Sequence, residues 1–235
     1  MDAEVGVRSR PAEPQVDFED ELKRRSIPVR APAVSWDQRL VEILVAGVVL
    51  LITSPIIAMM ALIIKLGTPG RVLFFQDRMG LKGRTFKFVK FRTLYADARQ
   101  RFPDLYAYQY TDEELRALKF KVTNDPRVTP QGRWMRKTTL DELPNFWNVL
   151  TGDMALVGPR PEIPEMLKYY DGHMLEKFSV RPGITGLAQI SGRGALGFHE
   201  TVELDVAYVR NRTLALDLKI ILLTLVKMVT QEGAF

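Results

Sequence analysis

The stretch TTLDELPNFWNVLTGDMALVGPRPE, residues 138–162, carries two adjacent acids at the predicted start of a helix. Thr139 followed three residues later by Glu142 has the pattern of a capping box. Apolar residues then recur at three- and four-residue spacings, which is typical of a helix with one buried face: Leu140, Leu143, Phe146, Trp147 and Leu150. Because Pro144 lies one turn inside, we expect an irregular start, and Gly152 predicts the end.

A stiff loop, Gly158-Pro159-Arg160-Pro161, follows this helix and carries one guanidinium group. Acids at a helix start together with an arginine on a rigid loop suit phosphate and metal chemistry. A Thr-x-x-Glu pattern is also the mark of an ordinary cap, and acids in a first turn compensate the helix dipole. From this stretch alone, the structural and the functional interpretation both stay open.

The composition narrows the chemistry. The chain has 235 residues, 46% of them hydrophobic, and a formal net charge of +5, which suits anionic lipid, nucleotide phosphate or nucleic acid as partners. It has no cysteine and only two histidines, so disulfides and a zinc site built on thiolates or several imidazoles are excluded. Any bound metal must be held by carboxylate oxygens, which favours Mg²⁺ or Mn²⁺.

Residues 1–35 are rich in proline and charge and show no hydrophobic periodicity. We interpret them as a disordered cytoplasmic tail whose role the sequence does not assign. Its cations Lys23, Arg24, Arg25 and Arg30 suit contact with anionic lipid, and a merely solvated tail is the alternative.

The run from Ile43 to Ile64 contains no charged residue and is long enough to span a membrane. Pro55 interrupts it near the middle and removes a backbone hydrogen bond, for which the hydroxyl of Ser54 is the expected substitute. A kinked span and a re-entrant helix–break–helix hairpin are both compatible with this pattern. Both flanks are positively charged, with Arg39 before the run and Lys65, Arg71, Arg78, Lys82 and Arg84 after it, which favours the hairpin with both ends in the cytoplasm.

Residues 68–235 are predicted to form one catalytic domain after the membrane helix of residues 36–67. Residues 71–91 read as a β-hairpin, because aromatic and polar residues alternate on either side of a glycine-containing turn. Residues 162–179 have the spacing of an amphipathic helix, and residues 199–211 are also predicted to be helical. The apolar segment 214–229 either packs on the domain or lies in the membrane interface. The fold class is therefore α+β and mostly helical.

Basic residues precede the two acids of the opening stretch. Arg133, Arg136 and Lys137 lie on a helix predicted to start at Thr129-Pro130. Cations this close are expected to lower the pKa of Asp141 and Glu142 and to attract phosphate. The glycine-rich segment 181–194 matches neither the Walker A spacing nor the dinucleotide fingerprint, so nucleotide folds of those types are rejected.

Several motifs in order resemble the bacterial sugar transferases that move a sugar 1-phosphate onto a polyprenyl phosphate, the monotopic phosphoglycosyl transferases. The resemblance covers residues from about 36 to the end of the chain and is to the minimal form, without the four-helix N-terminal region of large members. The motifs are Ser54-Pro55, Lys90-Phe91-Arg92-Thr93, Asp125-Pro126-Arg127, Arg136 to Pro144, Gly158 to Pro161 and Arg181 to Gly186. One departure is Glu42, where relatives often have Asp; we expect it to be tolerated.

The resemblance implies a covalent mechanism. Asp141 matches the nucleophile that attacks the β-phosphate of a nucleoside-diphosphate sugar, usually a UDP-sugar, and releases UMP. Glu142 matches the acid that helps to hold Mg²⁺, and Arg160 matches a phosphate- or nucleotide-binding arginine. The remaining matched cations are expected to bind substrate without individual roles: Lys90, Arg92, Arg127, Arg136, Lys137 and Arg181.

The resemblance also implies the setting. Ser54 and Pro55 mark the membrane break, and the domain is expected on the cytoplasmic face of the bacterial inner membrane. The expected partners are a UDP-sugar, polyprenyl (undecaprenyl) phosphate and membrane lipids, while downstream glycosyltransferases and a second copy of the chain stay open. A catalytically silent, membrane-anchored scaffold of a polysaccharide assembly complex is the alternative function. Nucleic acid is not expected, because the chain has no recognisable binding motif for it.

Overall fold

The computed structural model describes residues 35–118, 125–192 and 196–230. The predictions for the N-terminal tail up to residue 34 and for Arg193 and Gly194 lie outside these residues. The helices are α1 (Trp36–Gly67), α2 (Ala98–Arg101), α3 (Asp112–Ala117), α4 (Pro130–Thr138), α5 (Phe146–Thr151), α6 (Leu187–Gly192), α7 (Phe198–Arg210) and α8 (Leu214–Thr230). The strands are β1 (Leu73–Met79), β2 (Thr85–Phe91), β3 (Ala155–Val157) and β4 (Gly183–Thr185). The predicted class, mostly helical α+β, is confirmed.

Helix α1 runs through Ser54 and Pro55 as one continuous helix, so the predicted interruption of its secondary structure is wrong. Pro55 has no N–H to donate to the carbonyl of Leu51, and the hydroxyl of Ser54 donates to that oxygen instead, at 2.8 Å. The substitute predicted for the missing donor is therefore present, and it lets the helix continue. Within the described chain, α1 is the one helix long and apolar enough to cross a membrane.

Both ends of α1 contact the same body, which we define as residues 68–118, 125–192 and 196–230. Near its start, Arg39 donates to the carbonyls of Val149 and Leu150 at 2.7 and 2.8 Å. Near its end, Ile64 packs with Phe91 of the body. The middle of the helix is mostly exposed and apolar, whereas four of its side chains are buried against the body: Glu42, Ala46, Met60 and Ile64.

Strands β1 and β2 form the predicted antiparallel hairpin, with Leu73 opposite Phe91 and Met79 opposite Thr85. Its turn places Lys82 in the left-handed region at φ 53°. Phe88 packs with Ala46 of α1, and Phe91, which alternation places on the other face of the strand, packs with Met60 and Ile64 of the same helix. The hairpin thus lies between α1 and the segment that carries the two acids.

The segment around the acids starts irregularly, as predicted, but without the predicted capping box. Thr139 adopts φ 58° at the end of α4, and its hydroxyl donates to the carbonyl of Thr138 at 2.7 Å instead of accepting from the next helix. A 3₁₀ helix, Leu140–Asn145, then contains both acids and leads into α5. Gly152, at φ 92°, ends α5 as predicted.

Residues 162–179 form two 3₁₀ helices, Pro164–Tyr169 and Gly172–Ser179, so the predicted single amphipathic helix is wrong. Gly172, the first residue of the second helix, has φ 41°, a conformation that glycine adopts readily. The apolar side chains still face the core with α7: Met166, Tyr170, Met174, Leu175 and Phe178.

Helix α8 is apolar on two faces. Ile220 on its inner face is fully buried with Tyr208 and Val157, so packing on the body is confirmed. Its outer face exposes leucines at three- and four-residue spacings, which leaves contact with the membrane interface as a prediction: Leu214, Leu218, Leu222 and Leu225.

Candidate functional site

The two acids lie in the 3₁₀ helix between α4 and α5. Asp141 is buried, with 6% of its surface exposed, and Glu142 is half-buried. Three cations from different elements act on the Asp141 carboxylate: Lys90 at the end of β2, Arg136 in α4 and Arg160 in the loop after β3. The structure therefore brings five of the predicted site residues into one electrostatic cluster.

The pKa of Asp141 is raised to about 6, in contrast to the predicted lowering. Burial is the main cause, and the neighbouring Glu142 carboxylate adds to it. Lys90, Arg136 and Arg160 act to lower the pKa but do not outweigh these two effects. Asp141 is thus ionised at neutral pH but close to the range in which it takes up a proton.

The raised pKa of Asp141 predicts where the acid limb of the pH–rate profile lies. If ionised Asp141 is the nucleophile, kcat/KM falls about tenfold per pH unit below about pH 6, because only the charged form attacks. Replacing Lys90 by Met removes a positive charge that favours the carboxylate, so the limb moves to higher pH. Lys87→Met on the exposed face of the same hairpin leaves it in place. An acid limb near 3.8, the ordinary value, contradicts this account of the burial of Asp141.

A small cavity of about 10 Å³, with room for about one water molecule, lies beside Glu142. Its polar wall consists of Arg78, Glu142, Asn145 and Arg160. The guanidinium of Arg160 lies 3.7 Å from the Glu142 carboxylate, a loose ion pair in which both side chains remain partly exposed. Polar groups that are only partly paired inside the protein are available to a charged ligand.

The opposite wall of this cavity is apolar and is formed by side chains from the hairpin, the start of β3 and β4: Phe88, Met154 and Ile184. These residues belong to the core cluster that includes Ala46 of α1. The cavity is therefore lined by both charged and apolar side chains, and the apolar ones are in the same core cluster as Ala46 of α1.

Two of the arginines predicted to bind substrate make their contacts with α1 and with the residues that follow it. Arg181 is buried and donates to the Glu42 carboxylate at 2.7 Å and to the carbonyl of Met154 at 3.2 Å. Arg92 is also buried and donates to the carbonyls of Thr68 and Pro69 at the end of α1. The contacts of these two guanidinium groups are structural, and they give the predicted binding role no support.

Arg127 affects the charged cluster around Asp141 indirectly, through Asp125. It pairs with Asp125 through two hydrogen bonds, at 2.9 and 2.8 Å, and the same carboxylate lies 3.9 Å from Arg136. Arg136 also donates to the hydroxyl of Thr93 at 3.0 Å. Asp125 thus orients the cation that faces Asp141. Lys137, in the last turn of α4, is exposed.

Sequence reasoning missed Arg78 and Asn145. It counted Arg78 only as a positive charge flanking the apolar run, although the alternation along β1 indicates which residues face inward. In the described residues, the buried Nε of Arg78 and the buried Oδ1 of Asn145 have no hydrogen-bond partner. Both atoms belong to side chains that line the cavity beside Glu142.

The oxygen atoms available here fit a magnesium ion bound together with phosphate. No group of three or more acidic, histidine or cysteine side chains forms a metal site in the described part of the chain. Mg²⁺ characteristically binds one or two carboxylates and completes its coordination with water and substrate phosphates. Adjacent Asp141 and Glu142 and the unpartnered Oδ1 of Asn145 meet that requirement.

A body attached to a long apolar helix, with one buried carboxylate, three converging cations and a partly apolar cavity, has the features that suit a site for charged ligands. The chain belongs to the bacterial sugar transferase family, whose model matches residues 34–231. It is 45% identical over 166 residues to galactosyl transferase CpsE of Streptococcus agalactiae, covering 70% of this chain and 36% of that protein. It is 37% identical over 211 residues to exopolysaccharide production protein ExoY of Rhizobium meliloti, covering 87% and 90%.

A third relative is named for its reaction. The chain is 37% identical over 218 residues to the UDP-glucose:undecaprenyl-phosphate glucose-1-phosphate transferase of Caulobacter vibrioides, covering 88% of this chain and 75% of that protein. Other relatives are much longer, and the chain spans less than half the length of several of the curated proteins it matches.

Proposed function

We propose that the chain transfers a sugar 1-phosphate from a nucleoside-diphosphate sugar, a UDP-sugar, to a polyprenyl phosphate. The observation that carries this proposal is the buried Asp141, next to Glu142 and faced by Lys90, Arg136 and Arg160. A carboxylate nucleophile needs to be ionised and close to a phosphorus atom, and the negative charge of a diphosphate needs cations around it. Relatives named as undecaprenyl-phosphate transferases support the acceptor class.

In the first step, an Asp141 carboxylate oxygen attacks the β-phosphorus of the UDP-sugar. A bond forms between this oxygen and phosphorus, the bond from phosphorus to the bridging oxygen breaks, and UMP leaves with that oxygen. Lys90, Arg136 and Arg160 stabilise the charge that develops on the phosphate oxygens. The product is an aspartyl phosphosugar.

In the second step, a phosphate oxygen of polyprenyl phosphate attacks the same phosphorus. The bond from phosphorus to Asp141 breaks, the carboxylate is regenerated, and polyprenyl-diphosphate sugar forms. Splitting the transfer in this way allows one cation cluster to serve both steps. The product is the first lipid-linked sugar of an exopolysaccharide, capsule, O-antigen or glycoprotein glycan.

Magnesium is part of the proposal. Glu142 would hold Mg²⁺ together with the diphosphate, and Asp141 and Asn145 supply further oxygens nearby. When bound, the ion supplies charge neutralisation to the phosphate groups. The chain's own contribution is to hold the carboxylates in a rigid turn, where Glu142 N–H donates to the carbonyl of Thr139 at 3.2 Å.

We also propose a monotopic arrangement in which α1 enters the membrane from the cytoplasmic side and its two ends stay with the body. The support is that Arg39 and Glu42 near the start hydrogen-bond to that body, and that Ile64 near the end packs with its Phe91. A helix crossing the bilayer separates its ends by the hydrocarbon thickness, roughly 30 Å, so a single body on one side would contact only one of them. The body would face the cytoplasm of the bacterial inner membrane.

Labelling from outside tests the topology. A cysteine introduced at position 36 and, separately, one at position 70 should both react with a membrane-impermeant thiol reagent only after the inner membrane is opened, because the native chain has no cysteine to interfere. A cysteine in a known periplasmic protein is the positive control. Labelling of one position in intact spheroplasts with protection of the other shows a full span and removes the monotopic proposal.

Product identity tests the reaction. Purified protein in nanodiscs receives Mg²⁺, polyprenyl phosphate and one UDP-sugar at a time, and the nucleotide released is identified. UMP release with one sugar supports sugar-phosphate transfer and names the donor, whereas UDP release indicates ordinary glycosyl transfer. If folded protein releases neither nucleotide across a broad sugar panel, the scaffold function takes the place of this proposal.

A further inference from the structure

We propose that Arg78 binds a substrate phosphate in the cavity beside Glu142 and Arg160. This inference deepens the proposed function and rests on it for the identity of the substrate. Arg78 lies in β1, outside the motifs that carry the family resemblance, and it contacts the Gly158–Pro161 loop. Through Arg78, strand β1 becomes one of the elements that surround the reacting phosphate.

Three contacts hold the guanidinium of Arg78 in one orientation. It donates to the carbonyl of Pro161 at 3.1 Å and to the amide oxygen of Gln76 at 2.8 Å, and it lies over the ring of Phe88 at 5.5 Å from the centroid. All three partners are uncharged. A guanidinium fixed in this way loses little further freedom when it binds an anion.

The charge of Arg78 has no carboxylate within ion-pair distance among the described residues. By contrast, the half-buried Arg127 is paired with Asp125, and the buried Arg181 is paired with Glu42. The buried Nε of Arg78 has no acceptor in that part of the chain either. The Glu162 carboxylate favours the charge from beyond ion-pair distance, but its oxygens already accept from Ile163 N–H and the Tyr170 hydroxyl. A cation without a hydrogen-bonded carboxylate is costly to desolvate, so an anionic ligand is its natural complement.

Arg92 can be compared with Arg78, because its Nε is also unpartnered and its acceptors are also uncharged: the carbonyls of Thr68 and Pro69 and the hydroxyl of Thr68. Those carbonyls lie at the C-terminal end of α1, where the helix dipole supplies negative potential to a cation. Arg78 has no helix end of this kind among its hydrogen-bond acceptors, and it lines a cavity that also contains Arg160. A phosphate at the edge of this small cavity would be next to both arginines and could accept paired hydrogen bonds from their guanidinium groups.

The backbone next to Arg78 is fixed from the interior. Met79 N–H donates to the carbonyl of Glu162 at 2.7 Å, and the Glu162 carboxylate accepts from the hydroxyl of Tyr170 at 2.9 Å. Burial lowers the pKa of Arg78 to about 10, while Glu162 acts in the opposite direction, so Arg78 remains charged at neutral pH. Strand and loop are thereby held together with the charge facing the cavity.

Either the diphosphate of the donor or the phosphate of the polyprenyl acceptor supplies this anion, and kinetics distinguish them. Arg78→Gln is expected to raise the KM of one substrate about 10- to 100-fold, the effect of losing a hydrogen bond to a charged group. Arg78→Lys keeps the charge but loses the paired N–H donors of the guanidinium group, so its KM should lie between those of wild type and Arg78→Gln. Arg84→Gln removes one charge from the exposed turn of the same hairpin and is the matched control.

A binding measurement without turnover accompanies the kinetics. Inorganic pyrophosphate with Mg²⁺ should raise the Tm of the wild type and of Arg84→Gln, and raise it much less for Arg78→Gln. Circular dichroism establishes whether each variant is folded. If Arg78→Gln does not fold, Arg78→Lys is used in its place. A raised donor KM assigns the site to the diphosphate, and a raised acceptor KM assigns it to the lipid phosphate.

Unchanged KM values for both substrates, with full stabilisation by pyrophosphate in folded Arg78→Gln, overturn the inference. If wild-type protein shows no transfer at all, the proposed function fails instead. The pyrophosphate comparison between Arg78→Gln and Arg84→Gln then still decides whether Arg78 binds phosphate. The two failures are thus separable.

Discussion

Asp141→Asn should reduce UMP release by a factor of about 10³ or more, the size expected when an attacking nucleophile is removed. The amide has nearly the same shape as the carboxylate, but it has no negative charge and cannot form the phosphosugar linkage. The variant should fold, because the buried Asp141 carboxylate is not held by a short ion pair in the described residues and its burial disfavours the charged form. The measurement is the initial rate of UMP release with the accepted donor.

The matched control is Asp77→Asn. Asp77 is an exposed carboxylate on β1 that pairs with Lys87 at the surface, 2.7 Å away. It loses the same charge as Asp141→Asn but should retain the wild-type rate within about twofold. A rate near wild type for folded Asp141→Asn excludes Asp141 as the nucleophile and leaves Glu142 as the next carboxylate to test.

Glu42→Ala should lower the free energy of unfolding by about 3–5 kcal/mol, the cost of leaving a buried charge without its partner. The Glu42 carboxylate accepts from Arg181 at 2.7 Å and from Arg39 at 3.3 Å, and Glu42 and Arg181 are both buried. This pair joins α1 to the segment just before strand β4, across 139 positions of sequence. The measurement is denaturant unfolding in detergent, followed by circular dichroism.

Lys87→Ala provides the comparison, because it breaks the exposed pair with Asp77, whose stabilising effect is expected to be at most about 1 kcal/mol. Glu42→Asp keeps the carboxylate on a shorter side chain and should be intermediate. If Glu42→Ala costs no more than Lys87→Ala, the contact between α1 and Arg181 does not hold the helix to the body. The account of how both helix ends stay with the body is then wrong.

The sequence predicted correctly those elements whose local residue pattern is compatible with only one structure. The β-hairpin followed from alternation, and Gly152 ended its helix because few other residues adopt a positive φ readily. The compensation of Pro55 by Ser54 was also predictable, since the donor that proline lacks is known from the sequence. Whether α1 continues or breaks at Pro55 could not be predicted, because a carbonyl that has found a substitute donor is compatible with a continuous helix as well as with a break.

Other predictions failed where one pattern serves two structures. Thr139-x-x-Glu142 has the spacing of a capping box, but Thr139 ends the preceding helix in a left-handed conformation, and its hydroxyl turns back to Thr138. Residues 162–179 keep their apolar spacing in two 3₁₀ helices as well as in one α-helix, because both geometries return side chains to one face every three or four residues. Local spacing therefore identified the buried face but not the helix type.

The site depends on distances that the sequence does not contain. Motif matching named Arg92 and Arg181 together with Arg160, yet only tertiary packing separates the two that hold α1 from the one that faces Glu142. The sign of the Asp141 pKa shift follows from the depth of burial, which outweighs three nearby cations. Arg78 was missed because it was treated as a flanking charge of the apolar run.

The measurement that tests the central claim most directly is the mass of the intact protein after incubation with Mg²⁺ and the accepted UDP-sugar, without polyprenyl phosphate. The account predicts a mass increase of one sugar phosphate, located at Asp141 by peptide mapping, and its disappearance when polyprenyl phosphate is added. Asp141→Asn should show no such increase. Rapid UMP release that requires the acceptor, with no adduct at any time, would contradict the covalent account and indicate direct transfer between the two substrates.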